Sequence, residues 1–285
     1  MKDTILFGDC RETLSQIDEK VRMCVTSPPY YGLRNYGDEG KQIGLEDTPE
    51  EYINNLVNIF RSVRNCLSDD GTLWVNIGDS YYNYRPGKGQ ALVKQTVSAN
   101  KQDLPDKCAR RGNKLEGLKE KDLIGIPWML AFALRADGWY LRQDIIWNKP
   151  NPMPESVRDR CTKSHEYMFL LSKSQNYYFD VDVIKEPTRR KRSVWNINKK
   201  PYKGSHFAVF PPELITPCIL AGSEENDIVL DPFIGSGTTA MVARDLGRHY
   251  IGCELHEEYN DLIQQRVPDN KVVHNGLTSA FNDVE

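Results

Sequence analysis

Two stretches near opposite ends of the chain hold residues whose types and spacing suit chemistry. The first, TSPPYYG, puts Ser27, Pro28, Pro29 and Tyr30 straight after a short apolar run. Proline fixes φ and has no N–H to compete, so the peptide presents its carbonyls rigidly, with an aromatic ring beside them. Such a peptide is built to hold something, although alone it also fits a proline turn that ends a strand. The second stretch, DIVLDPFIGSGTTAMVARDLGRHYIGCEL, runs a buried strand into a turn with Gly235 and Gly237, and a helix opens at Thr238. Glycines there let the backbone approach a ligand closely, and the helix start offers unpaired N–H groups to an anion. A further strand ends on Glu254, placed to accept hydrogen bonds from ribose hydroxyls. This is the logic of a doubly wound nucleotide site, with the ligand at the carboxyl ends of the strands. G-S-G-T-T-A also fits the dinucleotide fingerprint, so a nicotinamide-dependent oxidoreductase is one alternative. A glycine turn that merely joins strand to helix is another. Asp231-Pro232-Phe233 favours a smaller ligand, because an acid at the strand end can pair with a cationic amine, and S-adenosylmethionine carries one.

The scaffold for these sites reads as α/β, with short strand-like runs alternating with helical ones. Strands are expected at Thr4–Phe7, Val21–Val25, Thr72–Ile77, Tyr140–Trp147, His165–Leu171, Ile228–Leu230 and Tyr250–Cys253, with Asn176–Asp180 extended. Helices are expected near Thr13–Ile17, Pro127–Ala136, Pro211–Ala221, Thr238–Leu246 and Glu257–Arg266. Another starts at Thr48-Pro49-Glu50-Glu51, with Thr48 as cap, Pro49 in the first turn and Glu51 closing a capping box. Asp69-Asp70-Gly71 reads as the turn after that helix. Residues 81–121 interrupt the pattern with tyrosines and a polar Lys, Arg, Gln and Asn stretch, and an insertion of that length is commonly functional. The chain thus divides into core at 1–80 and 122–184, an inserted loop at 81–121, a basic segment at 185–205, a cofactor half at 206–269 and a polar, frayed tail at 270–285.

Composition sets the bounds. The chain has 285 residues, 39% hydrophobic and 27% charged, which suits a soluble globular protein with one large domain and a small appended part, or with two modest domains. No apolar run approaches the roughly 20 residues of a membrane span, and MKDTILFGDC does not read as a secretion signal, so a cytoplasmic protein is expected. The seven cysteines are scattered and form no C-x-x-C pair, so neither a zinc site nor a disulfide framework is expected. Pro217-Cys218 resembles the Pro-Cys of cytosine-C5 methylating enzymes but lacks their flanking residues, and no nucleophilic role is expected for it. A net charge of −3 argues against a wholly basic nucleic-acid binder. The segment KEPTRRKRSVWNINKKPYK nevertheless interleaves basic residues with Trp195, Asn196, Asn198 and Tyr202, a mixture suited to phosphates and bases.

DPFIGSGTT and TSPPY together resemble the paired signatures of the amino-group DNA methyltransferases. Their order, tetrapeptide first and cofactor loop last, is similar to that of the circularly permuted beta group. GTLWVNIGD, LRQDIIWNKPNPMPES, HEYMFLLSK and HFAVFPPELI follow family segments in the same order, so the resemblance covers nearly the whole chain. It implies a Rossmann-like S-adenosylmethionine-dependent fold with helices on both faces of a mostly parallel twisted sheet, plus a small target-recognition insertion. Asp231, Phe233, Gly235 and Gly237 would form the cofactor loop, with Ser236 and Thr238 by the methionine carboxylate and Glu254 on the ribose. Asp9, in a segment that contacts adenine in the family, is a candidate for the adenine amine, while helix capping is its alternative. His206, Phe207 and Pro211 match the segment that closes over the methionine end.

The resemblance also gives the tetrapeptide a task. An aromatic amine is a poor nucleophile because its lone pair is delocalised, and acceptors on its protons stabilise the transition state more than the ground state. Ser27 and the Pro28 carbonyl would be those acceptors. Tyr30 would stack on a base flipped from double-stranded DNA. Ser as the first residue is typical of cytosine-N4 enzymes and Asp of adenine-N6 enzymes, so cytosine N4 is preferred over adenine N6. Arg189, Arg190, Lys191, Arg192 and Trp195 are the candidate DNA contacts, with Arg110 and Arg111 as weaker ones. Partners in keeping with the family are a second copy of the chain and a separate restriction endonuclease, since no nuclease constellation is visible here. The remaining alternatives are a catalytically silent DNA-binding module and an RNA or protein methyltransferase.

Overall fold

The computed structural model describes residues 1–32, 42–82, 115–199 and 210–274. Its centre is one sheet of nine strands: β1 Thr4–Phe7, β2 Val21–Thr26, β3 Leu67–Ile77, β4 Tyr140–Asn148, β5 His165–Ser172, β6 Val194–Asn196, β7 Ile228–Asp231, β8 His249–Glu254 and β9 Lys271–His274. They lie in the order β6-β4-β5-β3-β2-β7-β8-β1-β9. Only β5 runs against its neighbours, β3 and β4; every other pairing is parallel. The expected α/β fold with a mostly parallel sheet is thus what forms.

Alternation along the strands builds two cores, because successive side chains leave opposite faces of a sheet. Leu6, Cys24, Leu73, Val75 and Leu230 face one cluster, packed under helices α1 (Cys10–Thr13), α2 (Pro49–Cys66) and α3 (Ile126–Ala136). Ile5, Phe7, Met23, Val25, Trp74 and Val229 face the other, under α4 (Pro212–Gly222), α5 (Thr238–Asp245) and α6 (Asn260–Arg266). Helix α2 begins as its sequence dictates: Thr48 Oγ1 accepts the Glu51 N–H at 3.2 Å, and Pro49 occupies the first turn.

Three local expectations are revised. Asp69-Asp70-Gly71 does not end one element and start another. The strand runs unbroken from Leu67, and the extra residues are absorbed by a register shift against β2 between Val21 and Met23. Arg22 anchors this irregularity by pairing with both Asp70 and Asp227. The polar tail starts later than 270, since Lys271–His274 adds a parallel edge strand to β1 with His274 stacked on Phe7. Val194–Asn196, for which no strand is expected inside the basic segment at 185–205, is an edge strand beside β4.

Candidate active site

Parallel order brings the chemistry to one edge. β2 ends at Thr26 and delivers Ser27, β7 ends at Asp231 and delivers the glycine loop, and β8 ends at Glu254. β2 and β7 are hydrogen-bonded neighbours, with Cys24 opposite Leu230. The tetrapeptide and the glycine loop, about two hundred residues apart in sequence, therefore leave the sheet side by side, the placement that open α/β sheets use for ligands.

The glycine loop is held from beneath by Asp231. Its Oδ1 accepts the Thr26 hydroxyl at 2.6 Å and the Phe233 N–H at 3.0 Å, and its Oδ2 accepts the Thr239 hydroxyl at 2.6 Å. Burial pushes this carboxyl up to about 6, against the pull of the two threonines and the Phe233 amide. Asp231 thus organises the loop and ties it to β2, rather than standing open to pair with a ligand amine. Gly235 and Gly237 take φ of +54° and +82°, the left-handed region that a side chain would strain. Glu254 closes the loop from the next strand: Oε2 accepts the Gly235 N–H at 2.9 Å and Oε1 the His256 N–H at 3.0 Å. Burial raises its carboxyl to about 7. The Leu255 N–H bonds it as well, so about one of the four acceptor positions of the carboxylate remains for a hydroxyl group.

Two features mark this loop as a holder of something. The Ser236 hydroxyl is buried without a partner among the described residues, and such groups are rare unless a ligand or water completes them. Thr238 opens α5, its hydroxyl accepting from Arg266, so a cation and the helix start face the same point. A carboxylate fits there, and a ribose fits at Glu254.

Around the tetrapeptide, the Pro29 carbonyl accepts the Tyr52 hydroxyl at 2.8 Å, which fixes it from α2. The half-buried Tyr30 donates its hydroxyl to Glu166 Oε2 at 2.8 Å. Burial and the facing Glu166 push its phenol well up, while a hydrogen bond from Ser27 pulls the other way. Glu166 is paired in turn with Lys149. Asp79, just past β3, caps α3 through the Gly125 and Ile126 N–H groups at 3.0 and 3.1 Å.

Other expected site residues sit as follows. Asp9 is the N-cap of α1: it accepts the Arg11 N–H at 2.9 Å and is paired with the Arg11 guanidinium. Pro211 is buried at the start of α4. His206, Phe207, Arg110 and Arg111 lie outside the described residues. Arg189, Arg190 and Arg192 are exposed, Arg189 pairing with Glu186, and Lys191 lies over the Trp195 ring. Trp195 itself is 5% exposed, packed into the second core with its indole N–H on the Arg192 carbonyl at 2.7 Å. Its ring is committed to the fold, so stacking on a base is not its task. Cys218, likewise, is fully buried and its thiol is pushed up by burial.

Sequence reasoning misses Thr26, Tyr52, Lys149, Glu166 and Asn76, whose Oδ1 accepts the Tyr30 hydroxyl at 3.4 Å and whose Nδ2 donates to the Tyr167 carbonyl at 3.0 Å. Lys149 lies just past β4 and Glu166 near the start of β5, strand ends that reach this same edge, and a charge at that register is the available signal.

A strand-end glycine loop, a buried acid beneath it and a rigid tetrapeptide on the neighbouring strand define a nucleotide-cofactor-dependent transferase of the α/β type. A family model described as DNA methylase matches residues 21–265. The Type II methyltransferase M.SmaI of Serratia marcescens is 54% identical over 271 residues, covering 92% of this chain and 90% of that protein. M.Cfr9I of Citrobacter freundii, also a Type II methyltransferase, is 50% identical, covering 93% and 87%. Among solved structures, the cytosine-N4-specific PvuII DNA methyltransferase superposes with a TM-score of 0.67 at 18% identity, covering 95% of both chains. The M1.HpyAVI complex with S-adenosylmethionine superposes with a TM-score of 0.59 at 21% identity, covering 92% of this chain and 98% of that one. The chain belongs to the N6/N4 DNA methylase family and is a site-specific amino DNA methyltransferase whose methyl donor is S-adenosylmethionine.

Proposed function

We propose that this enzyme methylates the exocyclic N4 of cytosine within a specific sequence of double-stranded DNA. The observation that carries the reading is the 2.6 Å bond between Thr26 and Asp231, which sets the SPPY peptide and the cofactor loop at a fixed mutual distance. S-adenosylmethionine supplies an activated methyl group when bound. Ser236 and Thr238 would hold its carboxylate, Glu254 its ribose, and Pro211 would border its methionine end. Ser27 and the Pro28 carbonyl would accept hydrogen bonds from the amine N–H groups, drawing charge from the nitrogen as the bond forms, the one proton the amine sheds would pass to water, and Tyr30 would carry the flipped base. Ser at the first position of the tetrapeptide supports cytosine over adenine.

The order of the two motifs supports membership of the circularly permuted beta group. Arg189, Arg190 and Arg192 are phosphate contacts in this reading, because they are clustered and exposed. The enzyme would act as the modifying partner of a separate restriction endonuclease, and a homodimer is its proposed assembly. Long-read sequencing of DNA from cells expressing this chain, beside a Ser27→Ala version, should show methylated cytosine at one sequence only with the intact chain. Nucleoside digests holding N6-methyladenine alone would overturn the choice of cytosine.

A further inference from the structure

Glu166 touches the chemistry from a strand that carries neither motif. Its Oε2 accepts the Tyr30 hydroxyl at 2.8 Å, and its Oε1 is paired with the Lys149 ammonium. These two charged side chains are largely buried, 9% and 17% exposed for Lys149 and Glu166. Lys149 is fixed further: its ammonium lies 4.2 Å from the Trp147 ring centroid, and its backbone N–H donates to the Ser164 carbonyl at 2.7 Å. Gly78 lies close to both side chains, since a Cβ there would stand 2.8 Å from Tyr30 Cε2 and 3.4 Å from the Glu166 carboxyl carbon. The ring is thus gripped at its hydroxyl and along one edge.

Offering an aromatic face needs no hydroxyl at all, and a buried ion pair brings a desolvation penalty that its attraction often fails to offset. A costly pair that ends on a phenol is explained if the direction of the ring matters. We propose that Glu166, held by Lys149, is a positioning residue that fixes the plane of Tyr30 to receive the flipped base. The inference rests on the methyl-transfer reading with Tyr30 as the stacking floor. A ring free to swing leaves the amine off the line of transfer, and a misplacement of about 1 Å is enough to slow a reaction about a hundredfold. The cofactor loop, on β7 and β8, is not part of this grip.

The test compares Tyr30→Phe, which keeps the ring, with Lys149→Met/Glu166→Met, which removes the pair without stranding a charge, and with the triple variant. Each of the first two should lower kcat about 10–100-fold while the S-adenosylmethionine Kd, by calorimetry, stays within about twofold. The triple variant should be no slower than the slower of the two, because both break one link. Stacking quenches 2-aminopurine, so the flipped probe at the mapped target should fluoresce more with all three variants than with the intact chain, and an unchanged signal would overturn the proposal. Multiplied losses in the triple variant, or cofactor binding that weakens in step with kcat, would overturn the proposal. Should the paired substitution fail to fold, Glu166→Gln replaces it under the same criteria. An intact chain that methylates no DNA would refute the methyl-transfer reading instead, whereas a methylating chain indifferent to these changes sinks this inference alone.

Discussion

Replacing Thr26 by valine should disconnect the two halves of the active site at little cost in volume. Thr26 is fully buried, and its hydroxyl supplies one of three bonds to the Asp231 carboxylate. A bond to a charged group contributes about 1.5–3 kcal/mol, and a buried acceptor left short of a donor bears the penalty in full. The Asp231 pKa, already raised from 3.8 to about 6 by burial, loses one of the bonds that hold it down and rises further. At a pKa of about 6 the group is about nine-tenths ionised at pH 7, and one further unit makes it about half ionised. A folded pKa above the unfolded one means that ionised Asp231 weakens the fold, with the loss growing from pH 3.8 to about 6 and constant above. In Thr26→Val that loss extends to higher pH, so the variant should melt a few degrees lower than the intact chain near pH 8 and approach it in acid. Catalysis, which needs the loop organised by the ionised group, should show its acid limb moved up by at least about one pH unit, with kcat about tenfold lower near neutrality. Thr26→Ser keeps the hydroxyl and should follow the intact chain in both measurements. Methylation rates across pH and thermal melts provide the comparison. A Thr26→Val enzyme with an unmoved acid limb and unchanged kcat would refute the coupling through Asp231.

Other expectations follow the same physics. Glu254, raised to about 7 by burial, accepts hydroxyls more strongly when ionised, so if it holds the ribose as proposed, S-adenosylmethionine should bind more weakly as pH falls through 7, and Glu254→Gln should bind weakly with no such inflection in calorimetry. Gly237→Ala places a side chain at φ +82° with its Cβ in ordinary contact with Ile263 at 3.5 Å, so strain of about 1–2 kcal/mol rather than a clash should weaken the cofactor about 5–30-fold. Replacing Arg189, Arg190 and Arg192 by alanine should flatten the salt dependence of DNA binding by about 0.9 for each phosphate that the three arginines neutralise. Trp195→Ala should instead lower the melting temperature, at about 3–5 kcal/mol for a buried indole, and leave that slope alone.

What is legible in the sequence is what depends on neighbours along the chain. Strand and helix periods, the Thr48 cap and the glycine turn are all local, and they appear close to where the residues place them. What stays hidden depends on pairing across the sheet. Asp231 reads as an acid awaiting a cation, because nothing in DPF says that Thr26 will stand opposite it with a hydroxyl at 2.6 Å. Trp195 reads as an exposed aromatic among cations until β6 adds itself to β4 and the ring turns inward. Glu166 reads as the polar start of a strand, and only the antiparallel direction of β5 returns it to the edge where Tyr30 waits. These three residues mislead for the same reason. A polar side chain takes its role from the partner that meets it, and in a doubly wound sheet that partner comes from a strand far away in sequence. The tetrapeptide and the glycine loop escape this because their function is carried by backbone geometry, which proline and glycine fix wherever they stand.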